Sequence, residues 1–263
     1  MRGDVSAWGL AASLVLVAVA VAISAWQHLG LGRGIVVASA RAMAQLLLVG
    51  LALRFIIDPK QPLIYAWLWV LAMIIFAVET VQRRAPEVPN ARALGFAAFF
   101  ASAVVSLGVL FALRIFPLEA RTLVPLAGMT IGNSMTATVV VGRRIVDGLR
   151  ESRDAVEARL ALGASSHIAA RPYIRAALRT ALSPPIEATK AVGVVILPGA
   201  MTGLILAGVD PLHAVLVQAV VMYLVLGATA TTTVVVALGL ERRMFTADHR
   251  LRRSAFVGEG RAQ

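Results

Sequence analysis

Seven stretches of this chain are too long and too apolar to sit in water: residues 5–26, 35–57, 63–81, 93–116, 123–142, 192–208 and 212–240. About 20 apolar residues carry a helix across hydrocarbon. Inside hydrocarbon, every backbone N–H and C=O needs a partner within the protein. The chain is therefore expected to be all-α, a polytopic membrane protein of about seven transmembrane helices forming one membrane domain over 1–263. Its apolar content of 59% and mean hydropathy of +0.82 exceed what soluble domains show. The first run has no basic segment and no small-x-small cleavage site around it, so it is expected to be retained as a helix. The run 192–208 is the shortest and contains Pro198.

Lysine and arginine resist translocation, and their distribution orients the spans. One set of loops holds Arg33, then Arg83, Arg84 and Arg92, then all nine basic residues of 143–190, then Arg242, Arg243, Arg250, Arg252, Arg253 and Arg261. The other set holds Arg2, Lys60 and Arg121, with Arg114 close by. This asymmetry predicts an N-terminus outside and a basic cytoplasmic tail, 241–263, in a multi-pass protein of the cell (inner) membrane. The net charge of +11 is then read as topology and contact with membrane lipid, with no nucleic acid as partner. No cysteine is present, which excludes disulfides, thiolate ligands and a cysteine nucleophile.

The segment 143–190 carries nine of the 25 Lys+Arg and separates the fifth and sixth spans. Within it, 154–162 reads as a helix ended by Gly163. A second helix, 168–182, carries Arg171, Arg175 and Arg179 on one stripe, and Ser183-Pro184-Pro185 is expected to stop it. Such a segment either lies on anionic lipid or serves as a cytoplasmic coupling helix that docks on a partner. Glu157-Ala158 followed by Gly163 has the spacing of the Glu-Ala-Ala…Gly loop of ATP-binding-cassette importer permeases, with Arg159 at the second Ala. The surrounding Leu160, Leu162 and Ala164 complete the candidate docking set.

The fifth and sixth spans are notched. Pro125 precedes Gly128 and Gly132; Pro198 precedes Gly199, Gly203 and Gly208. Glycines four apart permit close helix packing, whereas broken backbone at membrane depth can line a cavity. The second reading makes Pro125, Gly128, Met129, Gly132, Asn133, Ser134, Pro198, Gly199, Met201 and Gly203 a candidate path. Polar groups inside spans need partners: Glu79 has Arg41 on the adjacent span or Arg83 four residues on, and Glu187 pairs with Lys190. Gln45 and Gln218 are read as bonding to neighbouring helices, with cargo binding as the alternative, and Met129, Met135, Met201 and Met222 as packing thioethers. The four histidines, His28, His167, His213 and His249, are scattered, and only Asp210 with His213 makes half a metal site. No Gly-x-x-x-x-Gly-Lys-Ser/Thr loop occurs, so ATP, if it drives this chain, binds a separate subunit. The chain itself is expected to bind no cofactor and to be no enzyme. Ser134 and His213 as an intramembrane serine protease pair, and an ATP-independent ion carrier or channel, are rival readings.

An ordered set of short motifs narrows these readings. Arg41-Ala-Met-Ala-Gln45, Gly128-Met129-Thr-Ile-Gly132-Asn133, Leu160-Ala-Leu-Gly163-Ala164, Ile174-Arg175, Leu197-Pro198-Gly199-Ala200-Met201-Thr202-Gly203 and Ala207-Gly208-Val-Asp210-Pro211 follow one another. Together they resemble the FetB/YbbM permeases, the bacterial iron-export permeases related to plant aluminium-tolerance transporters. Ala200 stands where that pattern has a second Met. The resemblance implies the membrane half of an ABC transporter, a separate ABC ATPase subunit and a permease homodimer. Iron or a related metal ion is the implied cargo; another cargo, such as a nucleotide sugar, is the alternative.

Overall fold

The structure, a computed structural model, describes residues 7–193, 197–246, 248 and 250–252. Nine helices run in order among these residues: α1 (Ala7–Trp26), α2 (Gly32–Ile56), α3 (Ile64–Arg84), α4 (Ala91–Ala112), α5 (Ala120–Glu151), α6 (Arg153–Ala161), α7 (Ser166–Ala191), α8 (Gly199–Leu206) and α9 (Pro211–Met244). Phe245 and Leu251 form an isolated antiparallel bridge. Helices α2, α3, α4, α5 and α9 are long and apolar enough to cross a bilayer, and α1 is a shorter apolar helix. The chain is a multi-pass helical membrane protein. Residues 253–263 of the predicted tail, Arg2 and His249 lie outside the described residues.

The core is a bundle of α3, α4, α5, α7 and α9, while α1 and α2 pack chiefly on each other. Small residues bring α4 and α9 together: Gly239 lies against the Leu94 side chain, leaving no room for a Cβ. Ser102 on α4 donates to the Ala228 carbonyl of α9 at 3.0 Å. A Cβ on Gly142 of α5 would meet Val88 at 3.0 Å, so the turn between α3 and α4 is seated against α5. The outward leucines and valines of α2, such as Leu46, Leu47 and Leu48, are exposed, as a lipid-facing helix requires.

Two predicted features turn out differently. The expected stop at Ser183-Pro184-Pro185 does not form: α7 runs through Pro172, Pro184 and Pro185 to Ala191. Proline removes one backbone donor per residue, and packing of Ala170, Ile174, Ala177 and Ala181 into the core holds the helix across the loss. The expected sixth span, 192–208, is not one helix. It is reached by the last turns of α7, interrupted, and resumed by the eight residues of α8; residues 194–196 lie outside the described ones. Pro198, extended at φ −65° and ψ 146°, supplies the restart.

The basic residues collect at one end. There Arg143 pairs with Glu87 at 2.7 Å and donates to the Arg84 carbonyl, tying α5 to the α3–α4 turn. His167 at the start of α7 meets Glu241 near the end of α9 at 2.8 Å, so α7 runs antiparallel to α9. The other end holds Asp58 and a hollow lined by Arg54 and Arg121.

Candidate functional site

Where the predicted sixth span breaks, α5, α7, α8 and α9 enclose a cavity of about 730 Å³. Met129, Gly132, Asn133 and Thr136 of α5 form one wall, and Gln218, Met222 and Thr229 of α9 another. The remaining wall is Thr180, Pro184, Pro185 and Thr189 of α7, closed by Pro198, Gly199 and Ala200 at the start of α8. Gln218 lies seven residues into α9, about 10 Å from its start, in a stretch without acidic or basic side chains between Asp210 and Glu241 other than His213. The site is therefore inside the apolar part of the bundle.

Its lining is uncharged and rich in oxygen acceptors. The hydroxyls of Thr180, Thr189 and Thr229 donate to the carbonyls four residues back, at 3.0, 2.8 and 2.8 Å, which leaves their lone pairs available. Asn133 Nδ2 likewise donates to the Met129 carbonyl at 2.7 Å, leaving Oδ1 as an acceptor. Pro184 and Pro185 have no N–H for the carbonyls of Thr180 and Ala181, four residues earlier. Gln218 is 4% exposed, and its Oε1 has no hydrogen-bond partner. Gln218 lines the cavity, and its buried acceptor oxygen makes no interhelical bond.

Among the ten residues of the candidate path, Met129, Gly132, Asn133, Pro198 and Gly199 line this cavity. Gly128 instead faces Met73, with its sulfur and methyl within 4 Å, in a second cleft of about 590 Å³ that also holds Gln45 and Met135. Gly132 borders both hollows. Gly132, Gly199 and Gly203 have open space where a side chain would go, so within this chain they are not a tight packing seam. Pro125 is on the outer surface of α5, and Met201 and Gly203 lie beyond the cavity on α8. Ser134 is fully buried with no partner on its hydroxyl, while His213 sits in the first turn of α9. The protease pair is therefore not assembled.

Sequence reading misses the α7 wall, because Pro184-Pro185 reads locally as a stop rather than as lining. The spacing of Thr180, Pro184 and Ala188, four apart on one face, is the available signal. Glu187 and Lys190 do pair, at 2.8 Å, and both are exposed on the same turns of α7. Glu79 takes Arg83 at 3.1 Å and Arg92 at 3.2 Å. The alternative pairing of Glu79 with Arg41 is thus not formed, because Arg92 on the neighbouring α4 is nearer to hand than α2. Asp210 caps α9, accepting from the N–H groups of Leu212 at 3.0 Å and His213 at 3.1 Å. Among the described residues no three His, Asp or Glu side chains gather in a metal-holding group.

The basic segment builds an elbow at the end of α5. Helix α6 buries Val156 and ends in a Schellman turn: Gly163 N–H donates to the Leu160 carbonyl and Ala164 N–H to the Arg159 carbonyl, both at 3.0 Å, with Gly163 at φ +88°. Arg159 fastens the elbow to α7, donating to the Ala169 carbonyl at 3.3 Å with its guanidinium 5.9 Å from the Tyr173 ring. Glu157, held by Arg153 at 2.8 Å, faces outward with Ala158, and Leu162 is 89% exposed. Leu160 and Ala164 are half-buried beneath them.

Residues 7–245 match the family described as "Uncharacterised protein family (UPF0014)". The "UPF0014 membrane protein STAR2" of Oryza sativa subsp. japonica is 37% identical over 224 residues, 84% of this chain and 78% of the relative. The "Protein ALUMINUM SENSITIVE 3" of Arabidopsis thaliana is 34% identical over 251 residues, 95% of this chain and 91% of its own. The "Probable iron export permease protein FetB" of Escherichia coli (strain K12) is 31% identical over 251 residues, covering 94% and 95%. No solved structure gives a significant match.

Proposed function

The chain belongs to the UPF0014 family, and on that premise we propose that it is the membrane permease subunit of an ABC exporter whose cargo is a metal ion, iron foremost. The cavity at the broken α7–α8 junction carries this reading. Interrupted helices at membrane depth expose backbone polar groups, which is tolerated where they line a route. A relative 31% identical along nearly the whole chain is named a probable iron export permease, and that name supplies the cargo and direction.

ATP hydrolysis enters through a separate ATPase subunit. The elbow of α6 and the start of α7 is the docking surface: Leu162 projects as an unpartnered apolar side chain beside Glu157 and Ala158, and an apolar group exposed among basic residues suits a cleft on another protein. The elbow connects straight to α7, whose far end lines the cavity, so a push on one reaches the other. Two copies of the chain work together, with Glu187 and Lys190 facing the shared route rather than lipid, where charges are costly. The basic end is cytoplasmic and the N-terminus outside.

Co-reconstitution with a small ATPase subunit tests the reading. Metal-stimulated ATP hydrolysis and metal movement across the vesicle are expected together. Gly163→Pro and Glu157→Lys are each expected to lower coupled transport at least tenfold while membrane insertion stays unchanged. Normal transport by either variant would remove the docking assignment; transport by this chain without an ATPase would remove the ABC reading.

A further inference from the structure

Resting on that two-copy arrangement, we propose that the outward face of α7 at membrane depth is the seam between the copies, with the Glu187–Lys190 pair of one set against the same pair of the other.

This face is polar where a lipid-facing helix cannot be. Ala170, Ile174, Ala177 and Ala181 turn the opposite side of α7 into the core. Thr180, Ser183, Glu187 and Lys190 recur every three or four residues and so share one face, and all four are exposed. The side chains of Glu187 and Lys190 are 64% and 66% exposed. Their depth follows from their neighbours: Ala188 and Thr189, between them in sequence, line the cavity together with Met129 and Gln218. Lys190 also lies eleven residues beyond Arg179, the last of the arginine stripe. That is roughly 16 Å of helix, about half the thickness of the hydrocarbon. Beyond Arg179, the large apolar side chain that α7 exposes is Ile186. The outward sides of α2 and α4 differ in kind, exposing Leu46, Leu47 and Leu48 on one and Phe100, Val104 and Val109 on the other. Charges left against hydrocarbon are costly, so α7 needs protein over this face where α2 and α4 need lipid.

The charges name the occupant. A twofold interface sets the same patch of each subunit against itself. A patch with one acid and one base three residues apart is complementary to its own rotated copy, whereas a patch of one sign repels it. Chains inserted in the same orientation share a twofold along the bilayer normal, which keeps the two pairs at one depth. Covering them also strengthens an attraction that water weakens at an exposed site. Thr180 belongs to both the stripe and the cavity lining, so the seam begins at the rim of the cavity and borders the shared route.

The test co-expresses full-length chains carrying two different tags and extracts the membranes directly into polymer-bounded nanodiscs. Capture is on the first tag, and the second tag is then measured. Wild-type chains are expected to capture one another. Glu187→Lys in both chains puts only positive charge at the seam, and Lys190→Glu in both puts only negative charge there. Each is expected to lower capture at least fivefold with the yield of inserted protein unchanged. Glu187→Lys in one chain with Lys190→Glu in the other is expected to restore capture to at least half of the wild-type level, which an ion pair closed within each chain would not do. Ser183→Cys, in a chain with no other cysteine, is expected to give a dimer-sized product with a short bifunctional thiol reagent, and Val104→Cys on the outward side of α4 none. Wild-type capture by both single-charge variants overturns the proposal and leaves the two-copy reading standing. Loss of capture that the mixed pair does not restore also overturns it. Absence of capture between wild-type chains, whether or not another membrane protein comes with them, removes both the seam and the two-copy arrangement; the ATPase-coupled assay reports on the permease reading separately.

Discussion

Single side chains decide where this bundle is tight and where it is open. Ser102 makes the one hydrogen bond described between α4 and α9, to the Ala228 carbonyl, and such bonds in membrane proteins are worth about 0.6 kcal/mol on average. Ser102→Ala is expected to lower stability by roughly that amount, read as a shift in detergent unfolding. Gly239→Val forces Leu94 aside in the same seam and is expected to cost about 1–3 kcal/mol, with a correspondingly larger shift. The sequence could not distinguish Gly239 from Gly132, since both are glycines in apolar helices. Which one faces a neighbour is a property of the register between helices. The local pairs were more legible: Glu187 with Lys190 follows from helical spacing, and spacing offered Arg83 to Glu79 as one of two partners, whereas Arg92 reaches Glu79 from another helix.

At the level of elements, the end of α6 was readable and the end of α7 was not. Gly163 sits at φ +88°, a conformation that strains any side-chain-bearing residue. Gly163→Ala is therefore expected to lose about 1 kcal/mol in stability and to loosen the elbow, detectable as faster amide exchange across 153–165. The paired prolines of α7 follow no such local rule. Their cost is set by what the rest of the helix buries, and α7 is held by its alanine face against α5 and α9. Replacing both by alanine restores donors to the carbonyls of Thr180 and Ala181. That variant is expected to be at least as stable as the parent and slower in transport, a split that thermal unfolding and flux measurements would read independently.

For the whole molecule, the helical membrane class and the sorting of charge were legible because both depend on composition along the chain rather than on contacts. The sidedness that sorting implies is open to direct measurement, since the protein has no cysteine of its own. In intact cells Lys60→Cys is expected to react with a membrane-impermeant thiol reagent, and Leu162→Cys only after permeabilisation; the reverse pattern would invert the orientation. Asn133→Cys is expected to react with a small water-soluble reagent, and protection in every nucleotide state would close the cavity as a route. The position of that cavity was only half legible, because it arises where three helices meet a fourth that stops short. Gly132 gives this arrangement its last consequence: with a hollow on either side and no side chain of its own, it leaves only the backbone of α5 between them. A bulky residue at that point would project into one of the two hollows and narrow it.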